Sequence, residues 1–263
     1  MNPRMVKERN ARPRILISND DGVSAKGLRR LVEFVKELGE ILVVAPDAAR
    51  SGQSGAISAC KPLRITKVDE AENVSYYACN GTPVDCVKLA LHCFRDFRPD
   101  IVLSGINHGS NSGVSVLYSG TMGVAQEGCV VGIPSIGFSL LSHDADADFE
   151  PCREIVCDIT RRVLTEGLPP LVCLNVNIPT TPIQGVRVCR QARGYWSEEF
   201  ELRPMTGENT DAYWLTGHFV NTEPNAPDTD EYLLSKGYVS VVPCCCDMTA
   251  YADLSYIQSV ING

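Results

Sequence analysis

Two adjacent carboxylates, Asp20 and Asp21, stand between Asn19 and Gly22, directly after the apolar run Arg14-Ile-Leu-Ile-Ser18. Neighbouring side chains along a regular strand face opposite ways. At a strand's end, a bend backed by a glycine lets both carboxylates turn toward one centre. Carboxylates held that close repel unless a cation lies between them or one keeps a proton. Hard oxygen ligands of this kind suit Mg²⁺, Mn²⁺ or Ca²⁺. The same four residues also fit an Asx-type turn capping the next helix.

Three further segments carry groups for the same chemistry. Ser104-Gly-Ile-Asn107-His108-Gly109-Ser110-Asn111-Ser112-Gly113 also follows an apolar run. Its glycines let the backbone approach a ligand, and Asn107 and Asn111 offer neutral carbonyl and amide groups. Read as structure only, it is a polar loop. Tyr118-Ser119-Gly120-Thr121 opens a helix. There Ser119 is a cap, and the free amides of Gly120 and Thr121 sit at the positive end of the helix dipole, where anions bind. Arg50-Ser51-Gly52-Gln53-Ser54-Gly55 is small and polar, and the Ser51 hydroxyl is a feasible metal ligand. His108 lies in the asparagine loop, where it reads either as a contact to a substrate or leaving group or as an exposed loop side chain, whereas His92 falls inside a helix. A metal that meets a phosphate needs this mixture of acidic, neutral and anion-binding groups.

The elements that position these groups follow from periodicity. Arg14–Ser18 reads as a buried strand. Ser24 offers an N-cap to a helix carrying Leu28, Leu31, Val32, Val35 and Leu38, stopped by Gly39, and Ile41–Ala45 is the next strand. Thr82-Pro83 opens a helix through Val87, Leu91 and Phe94. Ile101–Ser104 is a strand, Gly105–Ser119 a loop, Gly120–Val131 a helix and Ser135–Phe138 a strand. Pro151–Thr165 reads as a helix and Leu171–Val176 as a strand. Alternation of this kind predicts a three-layer α/β fold with its site at the carboxyl ends of a mostly parallel sheet. Leu63–Val68 and Val74–Cys79 suggest an inserted hairpin. After residue 191 the alternation fails, and 192–236 reads as an extended arm, with a strand at Tyr238–Pro243 and a helix at Ala252–Ile261 closing the chain. The expected units are a disordered leader (1–13), the core (14–191), the arm (192–236) and a terminal strand and helix (237–263).

Composition excludes several classes. Hydrophobic residues make up 44% of the 263, enough for a real core, and no apolar run approaches the roughly 20 residues of a membrane-spanning helix. A net charge of -8 argues against a nucleic-acid duplex as partner. The twelve cysteines include no C-x-x-C pair, and many lie in apolar runs. They read as reduced core thiols of a cytoplasmic protein. Cys244, Cys245 and Cys246 are consecutive and alternate faces on a strand, so they do not ligate one ion together. A G-x-G-x-x-G after the first strand is absent, as are the C-x5-R of cysteine phosphatases and an Asp-x-Asp after the first strand.

Taken in order, Asn19–Gly22 with Gly27, Ala45–Asp47 with Arg50–Gly52, Gly81–Pro83 with Asp85–Val87, Ser104–Asn107, and Tyr118–Thr121 with Glu127 and Gly128 resemble SurE, the survival-protein 5′/3′-nucleotidase family. The resemblance spans residues 14 to about 140, and a weaker echo continues in Thr229-Asp230, Gly237–Ser240 and Thr249–Tyr251. It implies a Rossmann-like nucleotidase cleaving nucleoside monophosphates, and a homodimer or homotetramer formed through a C-terminal extension. It also implies one divalent cation per subunit, Mg²⁺ or Mn²⁺, at Asp20, Asp21, Ser51 and Asn107. Phosphate contacts then fall to Asn111, Ser119, Gly120 and Thr121, with Asp20 and Asp21 as catalytic residues and Asp20 the base or nucleophile. The Cys244–Cys246 run departs from the family pattern.

Overall fold

The computed structural model describes residues 12–204 and 211–262, so residues 1–11 of the expected leader and 205–210 of the expected arm lie outside the described residues. Strands β1 (Arg14–Ser18) and β2 (Glu40–Pro46) flank helix α1 (Lys26–Val35). Strands β3 (Ile65–Ala71) and β4 (Val74–Cys79) precede helix α2 (Pro83–Cys93). Strand β5 (Ile101–His108), helix α3 (Gly120–Val130), strand β6 (Ser135–Leu140), helix α4 (Arg153–Glu166) and strand β7 (Val172–Ile178) follow. The sheet runs β3-β4-β2-β1-β5-β6-β7 and then continues through two later strands, β13 (Tyr238–Cys245) and β8 (Gly185–Val188). Pairing is parallel except for β3 with β4 and β7 with β13. Among the described residues no helix is long and apolar enough to cross a membrane.

Alternation along each strand divides the core between two faces. Ile15, Ile17 and Val43 pack with Leu28, Leu31 and Val35 of α1 and Val156 of α4. Leu16, Leu42 and Val44 pack on the opposite face with Cys86, Val87 and Ala90 of α2 and Val124 of α3. Three layers result, as the periodicity predicts. The chain leaves β1 toward β2 on one side and returns to β5 on the other, so the order reverses between β1 and β5. A crevice opens at the carboxyl ends of the strands at such a reversal.

Several expectations are refined. Helix α1 is capped by Ala25, not Ser24, and no side chain caps it. The reason is a turn, Ala25 N–H to Gly22 C=O at 3.0 Å, that consumes Ser24 before the helix begins. The hairpin β3/β4 is present, and β4 pairs in parallel with β2, so the hairpin extends the main sheet. Strand β5 does not stop at Ser104; it continues to His108 across a register shift between Ser104 and Asn107. The arm forms two antiparallel ladders, β9 (Gly194–Ser197) with β12 (His218–Asn221) and β10 (Phe200–Pro204) with β11 (Asp211–Leu215), before the short helix α5 (Asp230–Ser235). Helix α6 (Leu254–Asn262) ends the described chain, and none of its residues is buried.

All twelve cysteines are free thiols. Cys244 near the end of β13 and Cys246 just beyond it pack against Cys129 and Cys173, while Cys245 is exposed. Burial pushes the Cys129 and Cys244 thiols up to about 12, so they stay neutral and behave as small apolar groups. Cys86 is buried, but Cys93 is exposed, because it is the last residue of α2 and faces outward.

Helix α1 approaches β5 so closely that a Cβ on Gly27 would lie 2.0 Å from the Ile106 carbonyl oxygen. Backbone cannot yield as a side-chain tip does. Gly27→Ala is therefore expected to destabilise the protein by about 3 kcal/mol in urea unfolding. Gly55→Ala, where nothing lies within 4 Å, should stay within about 0.5 kcal/mol of the parent.

Candidate active site

Asp20 is a buried carboxylate held from a neighbouring helix. It sits one residue beyond β1 and is only 5% exposed. The Thr121 hydroxyl donates to its Oδ1 at 2.6 Å, and the Gly120 amide also reaches its carboxylate. A Cβ on Gly120 would lie 2.6 Å from the Asp20 Cβ, so only glycine lets the start of α3 come this near. Burial pushes the Asp20 carboxyl up to about 6; the Thr121 hydroxyl opposes that shift and the neighbouring Asp21 charge adds to it.

Asp21 lies at the bend and is half-buried. Burial also raises its carboxyl, against the opposing charge and backbone N–H of His108. Its Oδ2 is buried and has no hydrogen-bond partner among the described residues. The bend is fixed by Asn19, whose Oδ1 accepts the Gly22 N–H at 3.1 Å and whose Nδ2 donates to the Gly22 carbonyl at 3.2 Å. Gly22 has φ of 103°, a left-handed conformation that favours glycine. Turn and acidic pair are thus one device: Asn19 supplies the Asx turn and frees both aspartates.

The loop after β2 is sewn to this bend. Arg50 N–H donates to the Asp20 carbonyl at 2.7 Å, and Val23 N–H to the Pro46 carbonyl at 2.8 Å. At its far side the Ser54 hydroxyl donates to the Leu117 carbonyl at 2.6 Å. Ser51 lies between these anchors, exposed, and its hydroxyl makes no hydrogen bond among the described residues. Asn107 follows the register shift of β5. Its Nδ2 donates to the carbonyls of His108 (3.1 Å) and Gly109 (2.9 Å), which leaves Oδ1 as its free atom. Bulges near sites commonly re-aim a side chain in this way. The His108 ring packs edge-on against Phe149 at 4.9 Å between centroids.

The expected anion site at α3 is partly spent on the protein itself. Ser119 Oγ accepts the Met122 N–H at 3.0 Å, and the Gly120 amide serves Asp20. The Thr121 side chain is fully buried on Asp20, which makes it a support for that carboxylate; its own N–H has no partner among the described residues. Asn111 is 6% exposed and lies beside Ser139 and Asn177, two polar residues that the sequence patterning passed over. The signal for them was an asparagine pair, Asn175 and Asn177, inside an otherwise apolar strand.

Asp20, Asp21, Ser51 and Asn107 therefore come from three strand ends at the point where the sheet order reverses. All four present oxygen. Among the described residues no group of three or more His, Cys, Asp or Glu side chains is arranged to hold a metal ion. A cation here would rest on two carboxylates and neutral oxygens, a set that suits a hard divalent ion.

The family model for survival protein SurE matches residues 15–198. The chain belongs to the SurE family. A 5′-nucleotidase SurE of Phocaeicola vulgatus is 52% identical over 251 residues, covering 94% of this chain and 96% of that protein. A 5′-nucleotidase SurE of Christiangramia forsetii is 50% identical, with 94% and 96% covered. The crystal structure of the SurE protein from Aquifex aeolicus superposes with a TM-score of 0.81 at 36% identity, over 94% of this chain and 99% of that one. The SurE match begins one residue into β1 and so takes in the acidic bend, the Ser51 loop, β5 and α3.

Because Asp20 binds its proton more tightly folded than unfolded, its own contribution to the stability of the metal-free protein is lost as pH rises from about 4 to about 6, and comparison with a variant lacking the carboxylate isolates it from the other acidic groups. Asp20→Asn removes that cost and keeps an acceptor for Thr121. In EDTA at neutral pH it should be more stable than the parent by up to about 3 kcal/mol, and equal to it near pH 4. Urea unfolding at the two pH values checks this.

Proposed function

We propose that this chain is a divalent-metal-dependent phosphomonoesterase that hydrolyses nucleoside 5′- and 3′-monophosphates to nucleoside and phosphate. The observation that carries the reading is the acidic pair at the end of β1: one carboxylate is held by α3, and the other keeps a buried oxygen without a partner among the described residues. The names of the Phocaeicola vulgatus and Christiangramia forsetii relatives, both 5′-nucleotidase SurE, support the substrate class.

Asp20, Asp21, Ser51 and Asn107 would hold Mg²⁺ or Mn²⁺, one ion per subunit. Bound there, the ion would polarise a phosphoryl oxygen and favour ionisation of water. The rest falls to the chain's own groups. Asn111, the Ser119 hydroxyl and the Thr121 amide bind the remaining phosphate oxygens at the positive end of α3, where charge gathers during transfer, while Gly120, expected there too, gives its amide to Asp20 and lets the helix start come close. Thr121 fixes the carboxylate of Asp20 in one orientation, and Asp20 acts as base or nucleophile. Asp21, lacking a donor for Oδ2, serves the cation.

Phosphate release from a panel of nucleoside monophosphates should vanish in EDTA and return with Mg²⁺ or Mn²⁺. Asp20→Asn should lower kcat by about a thousandfold while remaining folded. Folded parent protein that releases no phosphate with either ion would sink the reading, and full activity in Asp20→Asn would remove the role of Asp20.

A homo-oligomer goes with this reading. Leu254, Ile257, Val260 and Ile261 form one exposed apolar face on α6, and Phe200, Leu202, Tyr213 and Trp214 are exposed on β10 and β11. Contiguous exposed apolar faces mark contact surfaces. Replacing Ile257 and Val260 by Glu should shift the protein from dimer or tetramer toward monomer in analytical ultracentrifugation, with the circular dichroism spectrum unchanged.

A further inference from the structure

Strand β7 reads Val-Cys-Leu-Asn-Val-Asn-Ile and lies between β6 and β13, inside the sheet. Asn175 is 1% exposed and Asn177 is not exposed at all. Asparagine is a poor strand former, and burying an amide is costly unless its hydrogen bonds are met. Valine or leucine would serve this strand better if packing were the only demand.

Both amides are committed to one residue, Asn111. Asn177 Oδ1 accepts the Asn111 N–H at 2.8 Å and the Ser110 hydroxyl at 3.2 Å. Asn175 Nδ2 donates to the Asn111 carbonyl at 2.8 Å. Asn177 Nδ2 donates to Asn175 Oδ1 at 3.0 Å, which locks the two amides together. From β6, the fully buried Ser139 Oγ accepts from Asn111 Nδ2 at 2.8 Å. The direction of each amide is chemically fixed. The main-chain N–H of Asn111 needs an acceptor and its carbonyl needs a donor, so reversing either asparagine would set like groups against each other.

We propose that Asn177 is a positioning residue of the phosphate site: it holds the main chain of Asn111 so that the Asn111 side chain meets the phosphate. The inference rests on Asn111 being the phosphate contact assigned above. One amide hydrogen of Asn111 goes to Ser139, and the second, with Oδ1, remains for a ligand. A contact residue held at main-chain N–H, main-chain carbonyl and side chain at once is preorganised, and binding then costs little ordering. The polar cost inside β7 is offset by a loop residue that does not wander.

Two variants test this. Asn177→Leu keeps the volume and removes every hydrogen bond. Ser139→Ala removes only the bond to the Asn111 side chain and changes packing little, so it reports even if Asn177→Leu does not fold. Each should raise KM for a nucleoside monophosphate and the inhibition constant of inorganic phosphate by about tenfold. The dissociation constant for Mn²⁺, measured by calorimetry, should stay within about twofold of the parent, because neither residue touches the carboxylate pair. Hydrogen–deuterium exchange at the Asn111 amide should be faster in Asn177→Leu. Folded variants with parental KM and phosphate inhibition overturn the proposal, as does a parallel loss of Mn²⁺ and phosphate affinity, which marks general disruption. If the parent itself neither hydrolyses nor binds phosphate, the reading of the site fails. The exchange comparison then decides separately: parental protection of Asn111 in Asn177→Leu ends the positioning role, and faster exchange sustains it.

Discussion

A carboxylate buried at the end of a parallel strand sets the terms for the rest of this molecule. Asp20 can occupy its position only because the Thr121 hydroxyl and the Gly120 amide meet it from α3. That meeting demands a helix start with no side chain at residue 120, and a helix aimed at the end of β1. Placing α3 there in turn requires close packing below it, where Met122 lies against Gly137 of β6 and Gly128 against Ser135 and Val102. Glycines at positions 120, 128 and 137 permit the close approach that lets a helix terminus and a strand terminus touch.

Electrostatics and packing oppose each other at this point, and the opposition is what makes the place chemical. Two neighbouring carboxylates, both raised by burial, are a local instability in the protein alone. Structures keep such features where a ligand relieves them. The Asn19 turn, the loop around Ser51 that is fastened to it and the register shift before Asn107 all give up local regularity near the end of β1. The amides of Asn175 and Asn177 give up strand propensity in turn, to hold the main chain of Asn111.

Much of this was legible in the residues. Short apolar runs marked β1, β2 and β5, which are buried on both faces between the helix layers, and helical spacing or a helix start marked α1, α2 and α3. The acidic bend, both asparagines and the serine loops stood at strand ends in a linear reading. What patterning missed was local and polar. Ser24 looked like the cap of α1, but the Gly22–Ala25 turn shifted the helix start by one residue. Gly105–His108 looked like loop, since glycine and asparagine are weak strand formers, yet pairing with β6 kept it in the sheet. Residues 192–236 showed no period because the ladders there are short and half exposed.

By itself, then, the sequence determined the layers, the order of the elements and the kind of atoms gathered at the strand ends, because these depend on hydrophobic period and residue type. Only the tertiary structure decided that Thr121 serves Asp20, that the Ser51 loop is fastened to the same bend, and that Asn177 lies beneath Asn111. Those contacts join residues 101, 30 and 66 positions apart. No local pattern encodes a distance of that kind; it is fixed when neighbouring strands take their register and the helices settle on the sheet.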